Sequence, residues 1–196
     1  MACTALSKGR GLDCSRISGG VKFIYFGVFD QFNTPITSVG LPQTAGELTD
    51  ISMVAGSKIF RYAMPLGTAS VTETITGSTE NGTIFYTPVV NIMLNKLTKE
   101  DQNEIKLLAQ SKVVIFAQLN QKASVSTDTI IALGVSNGMT LNAGTIDSGA
   151  AWGDRNGYTL TFDGLEPIPF PVVADYPPAT GPLTNTGFDG FTIDES

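Results

Sequence analysis

The chain contains no histidine. That absence removes Ser-His-Asp and Cys-His catalysis and every histidine-based metal site. Cysteine is scarce: Cys3 and Cys14 only, both near the N-terminus and without metal-ligand spacing. Two reduced thiols in a reducing cytosol are the plain reading, and a disulfide between them stays open. Charge is scarce too, at 15% Asp, Glu, Lys and Arg against about 25% in ordinary globular domains. No basic excess exists: Met1 to Arg155 carries 12 basic and 12 acidic residues. The net charge of −6 comes wholly from Asp163, Glu166, Asp175, Asp189, Asp194 and Glu195, with no Lys or Arg after Arg155. A basic groove for tight nucleic-acid binding is therefore not visible. Long apolar runs are missing as well. No window is long enough to span a membrane, and no signal-peptide hydrophobic region opens the chain. The expectation is a protein made in the cytoplasm that needs no membrane.

Thr, Ser, Asn, Gln and Gly fill the places that charge leaves, beside 42% apolar residues. That mix suits a β-rich fold with neutral polar surfaces, of the kind that meet other subunits, and not a disordered chain. At 196 residues the chain can build one domain with arms. Residues 1–20, rich in Gly and Ser with no persisting period, read as an N-terminal arm. Residues 21–166 read as the domain. Residues 167–196, with six of the chain's ten prolines, read as an extended acidic C-terminal arm. Its Phe170, Val172, Val173, Tyr176, Phe188 and Phe191 suggest that part of it lies along the domain or a neighbouring copy.

The stretch from Asn81 to Asn120 organises the domain. Asn81-Gly82 suits a type I′ turn, in which both central residues accept φ > 0. It would join strands 69–76 and 83–94, the second alternating Ile84, Tyr86, Val90, Ile92 and Leu94 on one face. Pro88 within it predicts an edge or a bulge. Thr98-Lys-Glu-Asp101 is a capping-box-like start to a helix running from about 99 to 110, its Ile105, Leu108 and Ala109 turned to a sheet. A buried strand, 112–119, follows. Earlier, Val21 to Phe29 is apolar on both faces, Val21, Phe23, Tyr25 and Phe29 against Ile24, Phe26 and Val28. It needs cover on both sides, from a central position or from a subunit interface. Residues 30–57 read as a long connection with a short strand near 48–54, and 58–64 as a strand. Asn137-Gly138 and Asn156-Gly157 mark two further hairpins, around strands 128–135, 139–143 and 158–162, so an antiparallel meander is expected.

The motifs that could carry chemistry are weak. Gly134-Val-Ser136-Asn-Gly138 matches the nucleophile-elbow pattern, which requires a helix after the turn and a histidine base; a plain hairpin is expected instead. Asp154-Arg-Asn156-Gly157 lacks the downstream bidentate Glu of a calcium loop. Glu100 and Asp101 sit where a helix macrodipole favours carboxylates. Trp152 is expected to pack at a loop or sheet rim, with a stacking platform of Trp152 and Tyr158 as the basis of a carbohydrate-binding alternative. No catalytic, cofactor or metal residue is assigned, and the chain is read as a non-enzyme.

The order of a long hairpin, a capped helix (LTKEDQNEIKLLAQS), a buried strand (VVIFAQL) and then GAAWGDRNGYTLTFDGLEP resembles the tail tube proteins of long-tailed bacteriophages. The likeness covers roughly residues 70–167 and is strongest from Gly153 through Phe162 to Gly164-Leu-Glu-Pro167. It implies a β-sandwich or partial barrel flanked by one helix, with six copies closing a ring. Joined sheets would line a channel for DNA at genome ejection, rings would stack, and loops and arms would bridge subunits. The implied partners are copies of itself and other tail or virion proteins, in a virion assembled in a bacterial host, with no cofactor. Three readings of the residues point the same way. The doubly apolar strand 21–29 calls for cover beyond one domain. The long hairpin leaves edges to be paired. The missing basic excess suits a lumen that must not grip DNA. The Thr/Ser/Glu face of the hairpin is expected to face that lumen. Other virion parts, namely a capsid decoration, head–tail connector or tail terminator protein, share the composition.

Overall fold

The computed structural model describes residues 18–33, 46–48, 51, 53–122, 128–173 and 192–194. Cys3, Cys14 and arm residues 1–17 lie outside them, as does most of the C-terminal arm. The described strands are β1 (Val21–Val28), β2 (Glu47–Leu48), β3 (Lys58–Ala63), β4 (Ala69–Ser78), β5 (Thr83–Asn95), β6 (Val113–Lys122), β7 (Asp128–Leu133), β8 (Thr140–Asp147), β9 (Gly157–Asp163), β10 (Val172–Val173) and β11 (Thr192–Asp194). Among the described residues one α-helix, α1 (Lys99–Leu108), follows β5. The strands form a seven-stranded sheet, β11-β3-β1-β6-β7-β10-β2, and a four-stranded sheet, β4-β5-β9-β8. The fold is mainly β, a sandwich with one flanking helix.

The centre of the large sheet is buried on both faces. Ile24 and Phe26 of β1, Val113, Ile115 and Ala117 of β6, and Ile131 and Leu133 of β7 face the small sheet and join its Val90, Ile92, Tyr158, Leu160 and Phe162. Tyr25, Val114, Phe116, Ile130 and Ala132 face the other way, under Phe32, Leu48, Ile51 and Met53. The connection after β1 thus supplies a lid for the second core. This corrects one expectation: strand 21–28 finds cover on both faces within its own chain. The face assignment also changes at one residue. A register shift between Val21 and Phe23 turns Val21 to the core of Ile24 and Phe26, which strict alternation cannot foresee.

A chain of polar contacts pins this layer. The Tyr25 hydroxyl donates to Gln118 Oε1 at 2.8 Å, Gln118 Nε2 donates to Asp128 Oδ2 at 2.7 Å, and Lys22 Nζ meets the same oxygen at 2.7 Å. A one-residue slip of β1, β6 or β7 would break the chain and leave Gln118, which is buried, without partners.

Thr98 caps α1 as its spacing predicts, its Oγ1 accepting from Asp101 N at 3.0 Å and donating to Asp101 Oδ2 at 2.5 Å. The helix ends at Leu108, and Ala109 is exposed at the C-cap. Only Ile105 and Leu108 pack on the inter-sheet core, so α1 flanks the sandwich and contributes no fully buried side chain. No helix among the described residues is long and apolar enough to cross a membrane.

The Asn-Gly turns differ from expectation. Ser78 pairs with Thr83, which makes 79–82 a four-residue loop. Gly82 has φ 63° while Asn81 stays out of the left-handed region, so the turn is not type I′. Asn137-Gly138 joins β7 and β8, which belong to different sheets; it is a corner and not a hairpin. Asn156-Gly157 closes the long loop 148–156 between β8 and β9. The meander is also incomplete, since β10 runs parallel to β2 and β11 parallel to β3. Both short strands come from the segment read as an arm.

Two predictions follow from this packing. A Cβ on Gly157 would stand 2.0 Å from the Leu94 carbonyl oxygen, at φ 153°. Gly157→Ala should therefore lose more than about 3 kcal/mol in urea denaturation. Tyr62 packs edge-on against Phe26. Burial first, then the Glu104 and Asp101 carboxylates, push its phenol from 10.0 up to about 12. The raised value favours the protonated phenol, so the fold keeps this stability below pH 10 and loses it as pH rises towards 12. For a partly exposed phenol the loss should be at most about 2 kcal/mol. Tyr62→Phe should flatten stability across that window.

Candidate assembly surface: the four-stranded sheet

Four strands with one dry face build this surface. In β4 the register sets Val71, Glu73 and Ile75 against Val90, Pro88 and Tyr86, and Ser70, Thr72, Thr74 and Thr76 against Asn91, Val89, Thr87 and Phe85. Val71 and Val90 belong to the core side. The opposite face therefore carries Ser70, Thr72, Thr74 and Thr76 from β4, Phe85, Thr87, Val89, Asn91 and Met93 from β5, Thr159, Thr161 and Asp163 from β9, and Ala143 and Thr145 from β8. Short hydroxyls dominate it. Thr161 Oγ1 donates to Asn91 Oδ1 at 2.8 Å, and Asp163 is bonded by the Asn142 amide. None of the four strands contains Lys or Arg.

Glu73 departs from the expected Thr/Ser/Glu face. It lies on the inner side, where its Oε1 accepts from Phe170 N at 3.0 Å. Burial raises its carboxyl above the usual range; the Phe170 N–H pulls the other way and Glu166 adds a further upward push.

Both edges of the sheet are open among the described residues: β4 on one side, β8 on the other. Strand directions alternate, because every pairing in the sheet is antiparallel. Bond parity locates the unpaired groups. Tyr86 and Glu166 exchange both backbone bonds, and Met93 N donates to Thr68 O at 2.8 Å. Even-numbered residues of β5 therefore point to β9 and odd-numbered ones to β4. It follows that the N–H groups of Val71, Glu73 and Ile75 point out of the β4 edge. Pro88 sits in an interior strand with no register shift to β4, contrary to the edge or bulge expected. Its missing N–H faces Gly164, where the named β9 pairing ends.

The hairpin outruns the core. Ile75 and Ile84 are 64% and 60% exposed, although they share the side of Val71 and Val90. Its root is held by Glu166, which is only 3% exposed. The carboxylate accepts from Ser136 N and Asn137 N, each at 2.9 Å, and Asn137 Nδ2 donates to Leu165 O at 2.6 Å. One residue thus ties β5 to the corner between the sheets. That corner is the nucleophile-elbow sequence, and Ser136 serves there as a backbone donor. Residue order gives no hint of the tie, because Glu166 lies 30 positions from Ser136.

The remaining sequence candidates do not come together. Tyr158 is buried, its hydroxyl donating to Thr98 O at 3.3 Å, while Trp152 is fully exposed and packs on no rim. The Trp152–Tyr158 platform is therefore not formed. Asp154 caps its own loop, accepting from Ala150 N and Ala151 N at 3.0 and 2.7 Å. Those bonds, Ala151 first, hold its carboxyl below the usual range. No protein-family model, curated protein or solved structure matches the chain.

Glu166→Gln replaces one acceptor by a donor facing an N–H. It should cost about 1–3 kcal/mol and speed amide exchange at Tyr86, measured by urea denaturation and by hydrogen exchange.

Proposed function

We propose that the chain is a structural subunit that completes its small sheet with copies of itself, as a ring-forming tail tube protein of a long-tailed bacteriophage. The observation that carries this reading is the small sheet: dry on one face, hydroxylic on the other with no Lys or Arg in its strands and one guanidinium, Arg155 from the adjoining loop, bonded to Thr159 Oγ1 at 2.7 Å, and open at both edges among the described residues. Alternating directions matter here. The outer strands β4 and β8 run opposite ways, so β8 of one copy meets β4 of the next as an antiparallel pair, without a change of pairing type at the seam. Ile75 and Ile146, exposed at the two edges, lie on the core side of their strands and gain cover at such a seam. Exposed edges otherwise invite uncontrolled association.

Six copies of a four-stranded sheet would close a wall about 115 Å round at ~4.8 Å per strand, roughly 37 Å across before strand tilt widens it. Turned inward, the hydroxyl face would let a double helix pass. It presents hydrogen-bonding groups that water also satisfies, and its Arg155 guanidinium is engaged by Thr159 Oγ1 and the Tyr158 carbonyl, a cation count too low to grip phosphates tightly. The partners are then other copies and neighbouring virion proteins, with DNA as cargo.

The test removes one outward N–H. Ile75→Pro leaves the β4–β5 ladder bonds intact and blocks pairing at the open edge. Monomer stability should change by no more than about 1 kcal/mol, and rings or tubes in negative-stain micrographs should disappear. Tubes of normal width from this variant would refute the edge pairing. Trimers or monomers from the unaltered chain at high concentration would favour a decoration or connector role.

A further inference from the structure

Trp152 is the chain's one tryptophan, and the 148–156 loop holds it wholly in solvent. The loop is braced. Asp154 accepts from Ala150 N and Ala151 N, and Asp147 Oδ1 accepts from Gly149 N at 2.9 Å. An indole held out on a braced loop leaves on the order of 200 Å² of mostly apolar surface in water.

The register places a matching concavity at the other end of the sheet. Asn95 pairs with Gly157 at the end of β5, so the Trp152 loop stands at that end. The hairpin loop 79–82 stands at the other, about 40 Å away along β5. There β5 extends past its last pairing with the chain after β9, at Tyr86 and Glu166. A shallow groove of about 310 Å³ opens beside it, lined by Ile84, Phe85, Asn137, Leu165, Glu166 and Pro167. Ile84 and Leu165 are 60% and 59% exposed. Exposed Glu80 lies at the groove's end of the sheet, and exposed Lys96 and Arg155 lie beside exposed Asp147 and Asp154 at the tryptophan's end.

We propose that Trp152 of one copy seats in this groove on the next copy along the stack. The proposal rests on the tube reading and names its axial contact. Knob and groove lie at opposite ends of one molecule, so between copies stacked end to end the contact is heterologous and propagates as an open stack. Size points to the same occupant. One indole buries far less than the roughly 800 Å² per partner of a stable interface. It therefore holds nothing alone and acts when a ring of copies makes the contact many times over.

Because there is one tryptophan, its fluorescence reports this contact alone. As the protein is concentrated from dilute solution into tubes, emission should move to the blue and acrylamide quenching should fall several-fold. Trp152→Ser removes a side chain that packs on nothing, so the fold survives. This variant, and Ile84→Ser, should give ring-sized particles without long tubes in micrographs. Tubes in which Trp152 stays as open to acrylamide as in dilute protein, or tubes of normal length from Trp152→Ser, would overturn the contact and leave the tube reading standing. A wild-type chain that forms neither rings nor tubes would overturn both.

Discussion

Two backbone N–H groups at one carboxylate hold the exposed β4–β5 hairpin in place. Glu166 is buried and charged, a combination that survives only with strong hydrogen bonds. It finds them at Ser136 and Asn137, where the chain turns from the large sheet to the small one. Its own backbone is paired with Tyr86. The long hairpin therefore leaves the body from a root fixed on two sides. A hairpin that outruns its core would otherwise swing, since an isolated two-stranded ribbon is marginal in water. Here rigidity at the root does what packing along the length does not.

The large sheet has a different task. Its middle strands are dry on both faces, and its lid comes from the connection after β1. That self-sufficiency narrows where association can be sought. The doubly apolar strand gives no reason to expect a partner, because its partner is its own chain. Among the described residues, the small sheet leaves both of its outer strands unpaired on one side. Hydroxyl-rich strands serve such a surface well. Thr keeps the β-propensity of a branched residue while presenting an oxygen to water.

Much of this was legible from local rules. Thr98 and Asp101 stand three apart and cap the helix; residues 69–76 and 83–94 pair as alternation predicts; the run from Val21 is buried on both faces. The misreadings share a cause. Asn-Gly marks a change of direction but not which strands flank it, and at Asn137-Gly138 the deciding contact comes from Glu166, far along the chain. Tyr158 and Trp152 look equivalent as aromatics, yet strand parity buries one and a loop exposes the other. The bulge at Val21 shifts a face inside an apolar run, where alternation alone reads straight through it. Strands of two and three residues, β10 and β11, are too short for any periodicity, so a proline-rich stretch hides two pieces of sheet.

The braced loop and the open groove sit at opposite ends of the same sheet, and this gives any column built through them a direction. One terminus presents a rim of unseated indoles, the other a rim of empty grooves. Growth and arrest are then separate problems. A factor that starts the column must imitate one rim, a factor that stops it must imitate the other, and neither can do the other's work.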